Sequence, residues 1–330
     1  MIQASVIIPA YNAEQYIQAT IASAMQQKGC DLEIIVVDDR STDNTAAIVA
    51  EIARSDARVS LLALPRNGGP SVARNAGIGA ARGVWIALLD ADDAFMPGRL
   101  AALIALGEAK NADMVADNLL LVDQVDGSEQ PMLEPGALTA ACPIDLREFI
   151  ARNISAPEAP RTNYGFLKPL MRRDFLTRHG LRYDENVRFA EDFALYVACL
   201  RAGARWWLHP EPFYRYLVRP DSLTQIQTTG DLDALRRRQR ALLAEAQATG
   251  DGPLAALLRQ HLRTVDRCYY YRGFTDELKA RRPQRALGYL FASTDSTLLV
   301  AQEGARQLPL ILRKALQGGY NKGGNKKAAQ

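Results

Sequence analysis

Several stretches of the sequence hold residues suited to chemistry, and most of them are acidic. In WIALLDADDAFMP (85–97) an apolar run ends in Asp90, Asp92 and Asp93, and no basic residue follows until Arg99. Carboxylates this close repel one another and require a positive charge. Hard divalent cations take oxygen ligands, and Mg²⁺ commonly binds one or two protein carboxylates together with substrate phosphates. In an extended chain side chains alternate, so the D-x-D spacing of Asp90 and Asp92 puts both carboxylates on one side. The implied ligand is a metal diphosphate. A second run, VVDDRS, ends in Asp38 and Asp39, and in AEDF the pair Glu191 and Asp192 opens a helix-like segment. Paired acids there either favour the helix dipole or supply a general base. In RNGGPSVARNAGI (66–78) an Asn67-Gly68-Gly69-Pro70 turn leads into a helix that presents Arg74, where amides and a guanidinium could meet phosphate oxygens.

These residues need a scaffold. The runs SVIIP (5–9), LEIIVVD (32–38), VSLLAL (59–64), VWIALLD (84–90) and ADMVADNLLLV (112–122) alternate with segments of helical spacing, the pattern of an α/β chain with a mainly parallel sheet. In such a sheet ligands bind outside the carboxyl ends of the strands, where VVDDRS and LLDADD both fall. One cluster alone could cap a helix; two at the same edge point to a ligand. Asn12 with Gln15 reads as a capping box for the first helix, and Ser41 or Thr42 as the cap of the second. Residues 123–160 contain Pro131, Pro135, Pro143 and Pro157 and read mostly as a long loop. Helices follow in RRDFLTRHG and EDFALYVACLRAG, closing on Gly180 and Gly203. ARWWLH and PFYRYLV read as two short strands, and 231–316 is helical. The arginines Arg236, Arg237, Arg238 and Arg240 read as a solvated helix face, and His179 and His261 as surface or helix-end residues. GIGAAR (77–82) lacks the third glycine of a dinucleotide fingerprint and leads into a strand, and no Walker motif is present.

Composition narrows the functions. The chain has 330 residues, 48% of them hydrophobic, and 40 basic against 37 acidic residues give a net charge of +3, too balanced for a general nucleic-acid binder. Cys30, Cys142, Cys199 and Cys268 are scattered without a CxxC pair, which fits free thiols in a reduced compartment and excludes a thiolate zinc site. No apolar run approaches the roughly 18 residues of a membrane span and no signal peptide is visible, so a cytoplasmic protein is expected. After Glu303 the tail carries Arg306, Arg313, Lys314, Lys322, Lys326 and Lys327 without an acid. It reads either as a peripheral contact with an anionic membrane or as a solvated tail.

SVIIPAYN, VVDDRSTD, GGPSVARNAGI, ALLDADD and AEDF, in that order, resemble the family 2 inverting glycosyltransferases of GT-A fold over roughly residues 3–225. The stretch from NYGFLKPLM to ARWW is similar to the bacterial exopolysaccharide enzymes of succinoglycan type. The resemblance implies a domain over 1–225, with a Rossmann-like nucleotide-binding half (1–122) and an acceptor-binding half (123–225), then a helical extension over 226–330. It implies that Pro9 and Tyr11 line the nucleotide pocket, that Asp39 accepts the uracil N3 proton with Asp38 beside it, and that Arg74 approaches the base or diphosphate. Asp90 would lie near the ribose, Asp92 would bind Mn²⁺ or Mg²⁺, and Asp93 would lie near the donor sugar. Asp90 and His209 are further candidates for the metal. Asp192 would deprotonate the acceptor hydroxyl, with Glu191 positioning acceptor or base. UDP-glucose is the implied donor, and a polyprenyl-diphosphate-linked carbohydrate at the inner face of the plasma membrane the implied acceptor. The QxxRW motif of processive synthases is absent, which implies addition of a single sugar.

Overall fold

In the computed structural model of the chain the described residues are 1–134, 136–154, 163–219, 227–293 and 295–306. Ten strands are described: β1 (Ala4–Ala10), β2 (Leu32–Asp38), β3 (Val59–Ala63), β4 (Trp85–Leu88), β5 (Ala94–Phe95), β6 (Met114–Asp123), β7 (Glu129–Pro131), β8 (Cys142–Ile144), β9 (Leu170–Arg172) and β10 (Trp206–Val218). The helices are α1 (Ile17–Met25), α2 (Thr45–Ser55), α3 (Pro70–Ala80), α4 (Arg99–Ala109), α5 (Leu146–Arg152), α6 (Arg173–Arg178), α7 (Glu191–Arg201), α8 (Thr229–Ala248), α9 (Gly252–Lys279) and α10 (Pro283–Leu290). The chain divides into two compact units, Met1–Asn153 with Arg161–Ile226, and Gln227–Gln330 with Ile154–Pro160.

The first unit is built on one sheet of order β3-β2-β1-β4-β9-β6-β10-β5, with β7 beside β6 and β8 beside β10. β1 to β4 pair in parallel, as do β6 and β10, and β9 is antiparallel to both β4 and β6. The six longer strands therefore run the same way, and their carboxyl ends form one edge. Every residue of β2 and all but Pro9 of β1 are buried, as expected of strands covered on both faces. α3 lies so close to this sheet that a Cβ at Gly77 would fall 2.4 Å from Ile7 Cγ2 and 3.2 Å from Val37 Cγ2. Gly77→Ala is expected to cost about 1–3 kcal/mol through overpacking, read as a lower urea midpoint. An unchanged midpoint would mean that the helix can lift off the sheet without loss.

Several sequence expectations change. The capping box at Asn12 is absent: α1 starts at Ile17, Asn12 sits at φ 49°, and its Oδ1 accepts from the Thr42 amide at 2.8 Å. Ser41 and Thr42 do not cap α2, whose N-cap is Asn44; Ser41 Oγ accepts from the Asn12 amide instead, at 3.0 Å. The side chains of Asn12 and Ser41 thus serve the neighbouring loop rather than their own helix, whereas Asp43 accepts from the Thr45 amide at the start of α2. Residues 123–160 are not a plain loop, since they hold β7, β8 and α5, the last capped by Asp145 accepting from the Glu148 amide. ARWWLH and PFYRYLV form the single strand β10, irregular around Pro212, where prolines remove ladder donors. Trp206 packs in the core beside Phe149 and Tyr196, and Trp207 lies beneath the Lys110 ammonium.

The second unit is helical. α8 opens with a capping box of Thr228 and Asp231, and residues 296–306 are helical as well. Tyr270, Leu299 and Val300 form a core flanked by Tyr269, Tyr271 and Phe274. Arg236 is no solvated residue: it is buried, its Nε pairs with Asp266 at 2.5 Å, and its guanidinium lies 3.9 Å from the Tyr269 ring centroid. His261 is also internal, with burial holding its pKa down at about 4. Among the described residues no helix is long and apolar enough to cross a membrane. The basic tail residues beyond Arg306 lie outside the described residues.

Candidate active site

β4 ends at Leu88, and the chain then turns: the Asp93 amide donates to the Asp90 carbonyl at 3.0 Å. The extended alternation expected for Asp90 and Asp92 therefore does not apply, and the three carboxylates diverge. Asp90 accepts from Arg74 Nη2 at 3.0 Å and pairs with Lys168 Nζ at 2.9 Å. Asp92 pairs with Arg219 at 2.9 Å. Asp93 turns inward, accepting from the Tyr214 hydroxyl at 2.7 Å and the Leu217 amide at 2.8 Å. Tyr214 also accepts from the Asp90 amide at 3.1 Å, so β10 fastens the turn. Asp93 is only 4% exposed and braces this turn; a sugar contact would require its carboxylate to leave both partners.

The three acids differ electrostatically. Burial would raise the Asp90 pKa, but Lys168 and then Arg74 hold it well below the usual carboxylate range. Burial, and then the neighbouring Asp90, push Asp92 up in spite of Arg219. Burial, then Asp90 and Asp92, push Asp93 well above the usual range.

The same cations reach the second acidic centre. α7 begins after Ala190, which sits at φ 58°, and Glu191 accepts from Arg74 Nη1 at 2.8 Å. Asp192, 9% exposed, accepts from Lys168 Nζ at 2.8 Å through Oδ2 and from the Tyr183 hydroxyl at 2.8 Å through Oδ1. Arg74 Nη1 lies 4.0 Å from Asp192 Oδ1 and its guanidinium stacks on the Tyr183 ring. Glu191 and Asp192 are thus engaged with Arg74, Lys168 and Tyr183, which goes beyond a mere helix-dipole role. Arg74 is buried between acids that sequence separates by a hundred residues.

Asp38, Asp39, Pro9 and Tyr11 gather at the carboxyl ends of β1 and β2, where Ala10 is in register with Asp38. The Asp39 oxygens accept from the Gly68 and Gly69 amides at 2.7 and 2.8 Å. Gly69 sits at φ 86°, a left-handed conformation that favours glycine and lets both amides face one carboxylate. Asp38 accepts from the Ser41 amide, and Tyr11 is 51% exposed at the rim.

His209 does not join the turn. Its Nδ1 accepts from the Glu211 amide at 3.1 Å and its ring packs on Phe213. Among the described residues no group of three or more His, Cys, Asp or Glu side chains could hold a metal ion unaided. The donor set still fits a divalent cation bound with a diphosphate. Asp92 is a hard oxygen ligand whose side chain is 25% exposed, and Arg219 already brings a cation to it at 2.9 Å. Sequence reasoning missed Lys168, Tyr183 and Tyr214 as parts of this centre, since none stands in a spacing that marks chemistry.

The sheet order, the carboxylate turn after β4 and the acid pair opening α7 define a glycosyltransferase of GT-A fold. The chain belongs to Glycosyl transferase family 2, whose profile matches residues 5–175. It is 36% identical over 281 residues to the succinoglycan biosynthesis protein ExoO of Rhizobium meliloti (strain 1021), covering 85% of this chain and 79% of that protein. To ExoU of the same organism it is 36% identical over 288 residues, covering 86% and 81%. The crystal structure of S. aureus TarS 1-349 in complex with UDP-GlcNAc shares the fold, with a TM-score of 0.64 over 87% of this chain and 90% of that chain at 20% identity.

Proposed function

We propose that this glycosyltransferase inverts configuration at a UDP-linked sugar, with UDP-glucose the first donor to test. The acceptor is a hydroxyl of an exopolysaccharide repeat unit carried on a polyprenyl diphosphate at the inner membrane face. The likeness to ExoO and ExoU supports the pathway, and the UDP-GlcNAc complex of TarS supports a UDP-sugar donor. The observation that carries the reading is the link, through Arg74 and Lys168, between the Asp90 turn and Asp192. Donor chemistry needs negative charge stabilised on a departing diphosphate, and acceptor chemistry needs a proton removed. The two acidic centres serve these tasks side by side.

In this reading Tyr11 and Asp39 receive the uracil, and Asp90 faces the ribose. Asp92 would hold Mn²⁺ or Mg²⁺, and that ion would supply positive charge for the leaving diphosphate. Asp192 takes the proton of the acceptor hydroxyl, which attacks the anomeric carbon from the face opposite UDP. Glu191 keeps Arg74 beside the base. An α-linked donor then gives a β-linked product with no covalent enzyme intermediate.

A panel of nucleotide sugars with Mg²⁺ or Mn²⁺, monitored for free UDP, tests the reading; turnover of none would leave a binding protein. Asp92→Ala is expected to weaken Mn²⁺-dependent UDP binding by at least about tenfold, measured by calorimetry with and without metal. An unaltered metal dependence would remove Asp92 from the metal site.

A further inference from the structure

We propose that Lys168 is a positioning residue that fixes the orientation of Asp192 relative to the donor side of the site. The proposal rests on the reading of Asp192 as the base.

Lys168 Nζ lies 2.9 Å from Asp90 Oδ2 and 2.8 Å from Asp192 Oδ2, so one ammonium spans the two acidic centres. Its side chain is 5% exposed, and two of its three donors are committed to these carboxylates. The residue is also held from behind. Arg99 Nη2 donates to the Lys168 carbonyl at 2.5 Å, and the fully buried Arg99 is itself fixed on Asp117 and over the rings of Phe95 and Tyr214. Pro169 follows, which restricts the Lys168 backbone to extended conformations.

The effect falls on the base. With Tyr183 on Oδ1 and Lys168 on Oδ2, the Asp192 carboxylate cannot rotate without breaking a hydrogen bond. Each oxygen keeps a second lone pair, and the fixed plane decides where that lone pair points. Burying a lysine between two acids contributes little net stability. Orientation is what it supplies, and a misplacement of about 1 Å at a reacting group can cost on the order of a hundredfold in rate.

The test uses the full chain and the nucleotide sugar turned over fastest in the panel, with UDP release as readout. Lys168→Met is expected to lower kcat by about 10- to 100-fold while the donor KM moves by less than about threefold. In an Asp192→Asn background the same substitution should change kcat by no more than about twofold, because a residue that acts through Asp192 has nothing left to orient. A Lys168→Met loss that persists in that background would overturn the proposal, as would wild-type kcat in the single variant. If Asp192→Asn alone retains wild-type turnover, the base reading itself falls, which is a distinguishable result. Thermal melting confirms that each variant is folded; should Lys168→Met fail that check, Lys168→Gln, whose amide can still donate to one carboxylate, replaces it in the same comparison.

Discussion

Asp192→Asn is expected to lower kcat by about 10² to 10⁴ fold, the usual contribution of a general base, while leaving UDP binding intact. The amide matches the carboxylate in shape, and its oxygen can still accept from the Tyr183 hydroxyl, which now donates to Asp192 Oδ1. What it cannot do is take a proton. The Asp90 side keeps its own partners, Arg74 at 3.0 Å and Lys168 at 2.9 Å, so the donor edge should be little disturbed. Calorimetry with UDP and Mn²⁺ separates binding from turnover. Turnover within about twofold of wild type would remove the base role, since an amide has no comparable basicity.

The largest expected effect on stability lies at Arg99 and Asp117. Both side chains are fully buried, with Arg99 Nη2 2.6 Å from Asp117 Oδ1 and Nε 3.1 Å from both carboxylate oxygens. Arg99→Met would leave Asp117 buried with, among the described residues, the Phe213 amide at 3.1 Å as its remaining hydrogen-bond donor. Breaking such a pair from one side typically costs about 3–5 kcal/mol, whereas replacing both partners with apolar residues is often close to neutral. Urea unfolding of Arg99→Met should show this loss, and Arg99→Met with Asp117→Leu should recover much of it. A single variant as stable as wild type would show that water or a rearranged side chain satisfies Asp117. The same guanidinium holds the Lys168 carbonyl, so this core pair also supports the site.

The long parallel strands were legible as apolar runs, and β1, β2, β3, β4 and β6 stand where those runs stand; β1, β2 and β4 are buried on both faces apart from Pro9, whereas the edge strand β3 is partly exposed. Their carboxyl ends were legible for the same reason, which located Asp38, Asp39 and Asp90 at one edge. β5, β7, β8 and β9 were not, since two or three residues carry no period. The turn at Asp90–Asp93 was hidden because a D-x-D spacing does not state its own backbone conformation. The partners of Asp192 were hidden for another reason. Lys168 and Tyr183 meet it only through tertiary folding, and a lysine before a proline looks like any loop residue. Arg236 did have a readable signal: with Leu232 and Gln239 it lies on the buried stripe of α8, four residues after the leucine. Charge concealed what the helical period offered.

The loops after β1 and β2 exchange hydrogen bonds in both directions, Asn12 with Ser41 and Thr42, and Glu14 with Asp43 and Asn44. Mechanically they behave as one piece. Ordering a loop costs conformational entropy whenever it happens, and here that cost falls within folding rather than within ligand capture. A nucleotide bound at Asp39, as proposed above, would meet a rim that is already set, so more of its contact energy would be available as affinity. Amide protons along this rim should accordingly exchange slowly before any ligand is added.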